Sequence, residues 1–247
     1  MKLDLLQCRP AAQAPVGAPL LFVHGAFCGA WVWAERLMPA LARAGRACHA
    51  LSLRGHGDSE AGPWPATFAD YVADVEAAID HLGGRCVLVG HSMGGLVAQH
   101  CLGRPGRVAG LALLASVPPA GLAPVAWWMA ATAPDLCGDI GLLQGLGRAG
   151  ASPAAIRRAF FGPDVPLAEV APFLDRLDGE SGRACLDMML PPPPRLPPPA
   201  ARPPVLVLGG DADRLIPVFA LRDTARAFDA TLEILHSAPH GLMLDPD

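Results

Sequence analysis

Cys86-Val87-Leu88-Val89-Gly90-His91-Ser92-Met93-Gly94-Gly95 decides how this chain folds. Its first half, CVLVG, is a nearly continuous apolar run, as expected of a strand covered on both faces. The ten residues that follow Ser92, MGGLVAQHCL, have helix-like composition. The join between them reads G-x-S-x-G. In a chain with 27 glycines the pentapeptide alone is weak evidence, and a structural serine in a Gly-rich loop is the plain alternative. Its setting makes it stronger. So tight a turn from strand to helix forces the serine into a strained backbone conformation and lifts its Oγ above the sheet. Glycines two residues before and after are needed because side chains there would collide.

The same pattern continues outward in both directions. Short apolar runs at 20–24, 47–53, 86–90, 108–115, 205–208 and 231–236 read as strands, and helix candidates lie between them at 30–44, 68–82, 93–102 and 218–228. Alternation of this kind predicts an α/β fold with a mostly parallel central sheet flanked by helices. In the second helix Tyr71, Val75, Ala78, Ile79 and Leu82 recur at spacings of three and four, and Thr67 stands at the N-cap with Asp70 three residues on. The alternation breaks after Ser116. Residues 117–190 are richer in Pro and Gly, with helical pieces at 154–161 and 168–177, and predict a helical cap over a core of 1–116 and 191–247. The proline run at 191–204 predicts a stiff polyproline II connector leading into a core strand; a docking peptide for a partner is the alternative.

A serine hydroxyl needs a base to act as a nucleophile at neutral pH. His240, in the loop after the last strand, is the first candidate and His236, at the end of that strand, the second. The imidazole in turn needs an acceptor to fix its tautomer. The strand VLVLGG is followed by Asp211 and Asp213; Asp213 is preferred, with Asp211 as a turn former. The order Ser92, Asp213, His240 is the one a nucleophile-elbow architecture requires. A developing oxyanion needs two N–H donors. The Met93 N–H, at the helix start, is one candidate, and Ala26, in the loop after the first core strand, the other. Phe27 or Trp31 is placed to wall the acyl pocket, and Trp127, Trp128, Met129, Met188 and Met189 are offered by the cap.

Five motifs in order now carry a family likeness: HGAFCGAWVW at 24–33, LRGHGDS at 53–59, GHSMGG at 90–95, GGDADRLIP at 209–217 and APHGLML at 238–244. With them the chain resembles enzymes of the α/β-hydrolase fold, and the first motif is most similar to the plant esterase and hydroxynitrile-lyase branch and its bacterial relatives. The resemblance implies Ser92, Asp213 and His240 as a catalytic triad, with Ala26 and Met93 as oxyanion donors. Lyases of that branch carry a lysine beside the catalytic histidine. Gly241 stands there instead, so ester hydrolysis is expected over cyanohydrin cleavage. The chain before Leu20 is short for the family's opening hairpin.

Composition narrows the rest. Charged residues make up 17% and the formal net charge is −4, with no run of Lys or Arg, so nucleic acid and anionic membrane surfaces are not expected partners. Lys2 is the one lysine and asparagine is absent, which excludes mechanisms built on either. Seven scattered cysteines with no CxxC pair predict reduced thiols in a cytoplasmic protein, and MKLDLLQCRP lacks the pattern of a signal peptide. Residues 108–134 are uncharged, but Pro118, Pro119, Pro124 and Pro134 interrupt any membrane-spanning helix. No metal or organic cofactor is implied. The expectation is a serine hydrolase, monomeric or homodimeric, that cleaves an ester or thioester of a small, largely apolar molecule. Lactone, carbon–carbon or perhydrolytic chemistry on the same triad is an alternative, and so is a non-catalytic receptor on the same scaffold. A serine at the elbow counts against chemistries that need a carboxylate nucleophile.

Overall fold

The computed structural model describes residues 1–10 and 15–244. A seven-stranded sheet is built from β1 (Leu5–Cys8), β2 (Leu20–Val23), β3 (Cys48–Leu51), β4 (Cys86–His91), β5 (Val108–Leu114), β6 (Val205–Gly210) and β7 (Thr231–Leu235), in the spatial order β1-β3-β2-β4-β5-β6-β7. All pairs are parallel except β1 with β3. The α/β reading with a mostly parallel sheet holds. Along β2 the side chains alternate between two cores: Leu21 and Val23 join the apolar cluster on one face, Leu20 and Phe22 that on the other. Burial on both faces is why the strand has no polar positions.

Among the described residues, five helices flank the sheet outside the long insertion. They are α1 (Trp31–Ala34), α2 (Leu37–Arg43), α3 (Phe68–His81), α4 (Met93–His100) and α10 (Val218–Phe228). At the start of α3, Thr67 Oγ1 accepts from the Asp70 N–H and Asp70 Oδ2 accepts from the Thr67 N–H, a reciprocal cap. The single helix expected over 30–44 is two short ones. Pro39 supplies no N–H to the Glu35 carbonyl and crowds it, so the helix breaks at residues 35–36.

Two further features differ from expectation. Strand β1 pairs along the sheet edge, Leu5 opposite Leu51 and Cys8 opposite Cys48, although four half-exposed residues gave no periodic signal. Between β5 and β6 lie α5 (Ala123–Thr132), α6 (Pro134–Leu146), α7 (Pro153–Phe160), α8 (Leu167–Leu174) and α9 (Gly182–Met189). Helices α7 and α8 fall where the sequence placed helical pieces. Helix α5 is apolar all round and α6 holds three glycines, so neither shows an amphipathic period. After α9 the proline run returns along the body, Leu196 against the core and the Pro192 carbonyl accepting from His100 Nε2–H. Among the described residues no helix is long and apolar enough to cross a membrane, and the seven cysteines are free thiols.

Candidate active site

Strand β4 delivers Ser92 at the carboxyl edge of the sheet with φ +51° and ψ −119°, a conformation L-residues rarely adopt. The turn is tight enough that only glycine fits on either side. A Cβ on Gly90 would lie 2.5 Å from the Gly94 carbonyl oxygen, and one on Gly94 would lie 2.3 Å from that of His24. The Ser92 N–H donates to the Leu114 carbonyl, and the Ser92 carbonyl accepts from Gly95 and Val117. The elbow is thus fixed to β5 and to the first turn of α4. Met93 opens that helix, and its N–H is one that no intrahelical carbonyl can reach.

Beyond β6, Asp213 Oδ1 accepts from the N–H groups of Leu215 and Ile216, at 2.7 and 2.9 Å. Its other oxygen, Oδ2, accepts from His240 Nδ1–H at 2.8 Å, and both side chains are buried. This bond places the imidazole proton on Nδ1 and leaves Nε2 as the basic nitrogen. Asp211 is engaged elsewhere: it accepts from His236 at 2.9 Å on the exposed side of the sheet, and the paired imidazole and the Ser237 N–H hold its carboxyl below the usual carboxylate range. His236, the second candidate base, is therefore paired at the surface, with its side chain 91% exposed.

Ser92, His240, Gly25, Ala26 and Phe27 line one cavity of about 350 Å³. No hydrogen bond joins the Ser92 hydroxyl to His240 among the described residues; such contacts are often loose before substrate binds. The peptide between Gly25 and Ala26 is oriented by His24, whose Nδ1–H donates to the Gly25 carbonyl at 2.8 Å while its Nε2 accepts from the Leu53 N–H. Because N–H and C=O point in opposite directions across a trans peptide, the same bond aims the Ala26 N–H the other way. No protein acceptor takes that N–H among the described residues. Burial drives His24 down to about 3, so it stays neutral.

Most of the remaining cavity wall comes from the insertion and is largely apolar, with Val125, Met129, Ile140, Phe160 and Met189 beside the polar Gln144, and Leu215 and Ile216 join it from the core. The sequence missed Ile140 and Phe160, which lie on helices with no signal for a pocket. Of the aromatic residues it offered, Phe27 lines the cavity. Trp127 is 77% exposed and Trp128 packs edge-on against Phe219, so neither reaches it. Trp31 is turned against Phe173, with the Arg176 guanidinium stacked 4.1 Å above its ring. Met188 is buried in the core. Gly241 donates to the Phe160 carbonyl, and a Cβ there would lie 2.5 Å from that oxygen, so a lysine at this position has no room.

Comparison with known proteins agrees with this architecture. The profile of the Alpha/beta hydrolase family matches residues 20–247. Epoxide hydrolase 2 of Siraitia grosvenorii is 38% identical over 100 residues, covering 38% of this chain and 31% of that protein. Esterase PIR7B of Oryza sativa subsp. japonica is 38% identical over 104 residues, covering 40% of this chain and 38% of its own. The matched segments thus span well under half of these relatives. The enol-lactonase of Burkholderia xenovorans LB400 superposes with a TM-score of 0.70 at 23% identity, over 94% of this chain and 87% of that one, a likeness of fold. With the profile running from β2 past His240, the chain belongs to the alpha/beta hydrolase family.

Proposed function

We propose that the chain is a serine hydrolase that cleaves a carboxylic ester or thioester of a small, largely apolar molecule through an acyl-enzyme. The observation that carries this reading is the buried 2.8 Å bond between Asp213 and His240 beside a cavity that Ser92 shares. His240 Nε2 takes the Ser92 proton as Oγ attacks the carbonyl carbon. The tetrahedral oxyanion forms against the N–H groups of Ala26 and Met93. As it collapses, His240 returns the proton to the leaving alcohol or thiol. A water activated by the same nitrogen then releases the acid, and Asp213 stabilises the imidazolium formed in each half-reaction.

Residues 117–190 act in this reading as the cap that roofs the site. The cavity, about 350 Å³ with a largely apolar lining and Phe27 on one wall, supports a compact apolar acyl or alcohol group. Labelling with a fluorophosphonate probe and turnover of p-nitrophenyl esters of graded chain length test the proposal together. Rapid labelling and ester cleavage, both lost in Ser92→Ala, are expected. Labelling that survives Ser92→Ala, or the absence of both, rules the mechanism out.

A further inference from the structure

Behind the oxyanion loop lies a fully buried carboxylate that the mechanism above does not use. Glu180, between α8 and α9, accepts four hydrogen bonds. Oε1 takes the Tyr71 hydroxyl at 2.6 Å and the Ser181 N–H at 2.8 Å; Oε2 takes His56 Nε2–H at 3.2 Å and the Phe27 N–H at 3.4 Å. The other nitrogen of His56 faces the Arg54 carbonyl, which can only accept, so both ring nitrogens donate and the imidazole is a cation. Its pKa is raised by the hydrogen bond and charge of Glu180, against the opposing effect of burial. Replacing a buried pair of this kind by well-packed apolar residues is often neutral or stabilising, so stability alone is a poor reason for it.

Position offers a better one. Phe27 has φ +65°, a strained conformation for a residue with a side chain, and it directly follows Ala26. Both of its backbone groups are held by the same segment of the insertion: its N–H by Glu180, and its carbonyl by the Asp178 N–H at 2.7 Å. Asp178 Oδ2 also accepts from the Gly57 N–H. The loop carrying His56 is itself pinned to α3, because Arg54 forms a two-pronged bond with Asp74 and a further one with Asp70. His24, which orients the peptide before Ala26, packs against the His56 ring at 5.0 Å. The peptides on both sides of Ala26 are therefore fixed, one by His24 and the other by Glu180.

We propose that Glu180 is a positioning residue for the oxyanion hole: it reaches from the insertion to hold the Ala26–Phe27 peptide so that the Ala26 N–H faces the developing negative charge. The role rests on the serine-hydrolase reading. It also couples the insertion to the chemistry, since the oxyanion loop keeps its shape only while the 178–180 segment is seated.

Glu180→Gln is the discriminating variant. The shorter bonds from Tyr71 and Ser181 keep the amide oxygen on their side, which turns the NH₂ towards His56 and Phe27. A neutral His56 can accept from it, but the Phe27 N–H cannot, so the loop bond is lost while the fold is kept. The expected result is a fall in kcat of about tenfold or more per fluorophosphonate-reactive site, with KM within about twofold of wild type. Affinity for a trifluoromethyl ketone, which forms an oxyanion when Ser92 adds to it, falls by the same factor. Tyr71→Phe removes a bond to the far oxygen, and lowers Tm with kcat per site unchanged. Unchanged kcat per site and unchanged ketone affinity in Glu180→Gln overturn the proposal. If that variant does not fold, hydrogen exchange of the Phe27 amide in the wild-type protein decides: protection matching the core strands supports the hold, and exchange as fast as in exposed loops overturns it. Absence of any Ser92-dependent turnover in the wild type refutes the hydrolase reading, and the Phe27 amide still reports separately on the hold.

Discussion

His91 Nε2–H donates to the main-chain carbonyl of His240 at 3.0 Å, so the residue before the proposed nucleophile holds the loop that carries the proposed base. The two rings also lie 4.6 Å apart. Burial, reinforced by the neighbouring His240, keeps His91 well below the usual histidine range, which leaves it neutral with its proton on the donating nitrogen. His91→Phe keeps a ring there but leaves the His240 carbonyl unpaired. A loss of about 1–3 kcal/mol is expected, or about 2–4 °C in Tm for each kcal/mol. Ester turnover is expected to fall in kcat more than it rises in KM, because the base is displaced while the cavity is intact. Unchanged kcat in a variant with lowered Tm would show that the loop holds itself.

Asp211 and Asp213 stand two residues apart and do different work. Asp213 is buried against His240; Asp211 sits on the surface with His236. Asp213→Asn is expected to leave the fold intact and lower kcat by about 10³–10⁴, since an amide can hold the imidazole in the wrong tautomer. Asp211→Asn is expected to leave kcat/KM within about twofold, as is usual for a surface change. Steady-state kinetics on one p-nitrophenyl ester decide the assignment, and comparable losses in both variants would count against it.

What could be read from the sequence had a local cause. The elbow is legible because Gly90 and Gly94, on either side of Ser92, are each required by atoms within a few residues, or by β2 and the residue after it. Helix α3 shows itself through Thr67, Asp70 and an apolar face. Glu180 gives no such signal. Its partners Phe27, His56 and Tyr71 are more than a hundred residues away, and an acidic residue between two helices reads as solvated until the fold buries it. Trp127 fails in the opposite direction. Adjacent tryptophans suggest a pocket, but successive helical positions face different ways, and this one faces outward.

Stability should fall on the acid side of neutrality. His24, at about 3, and His91, well below the usual value, are both neutral in the folded chain through burial, with the cationic His56 adding to the effect on His24. An unfolded chain binds their protons near pH 6.5, so between there and about pH 3 the unfolded state holds more protons and stability rises with pH. Each such histidine costs up to about 1.4 kcal/mol per pH unit crossed. His56 has the opposite sign: its raised pKa stabilises fully below pH 6.5 and is lost as pH climbs through the folded value. Glu180 is lowered by the His56 and Tyr71 bonds despite its burial, and its contribution fades only as pH falls below the ordinary range for Glu. Thermal melts from pH 7.5 to 4 are expected to show Tm declining from about pH 6.5 downward. A flat profile over that range would contradict neutral burial of His24 and His91.

Chain-length preference should follow the cavity wall and ignore the exposed tryptophan. Ile140, on α6, lines the cavity with Val125 and Met129 from α5, while Trp127 is on the outer side of α5. Ile140→Trp adds bulk where a longer acyl or alcohol chain would lie. Overpacking of this kind costs about 1–3 kcal/mol, or roughly 5- to 150-fold in a rate or binding constant. That loss is expected in kcat/KM for hexanoate or longer p-nitrophenyl esters, with acetate close to wild type because its reacting carbonyl sits at Ser92 and needs little of the cavity. Trp127→Ala is expected to leave the whole series unchanged within about twofold. If Trp127→Ala shifted the preference and Ile140→Trp did not, the substrate would have to bind on the outer face of α5, not in the cavity shared by Ser92 and His240.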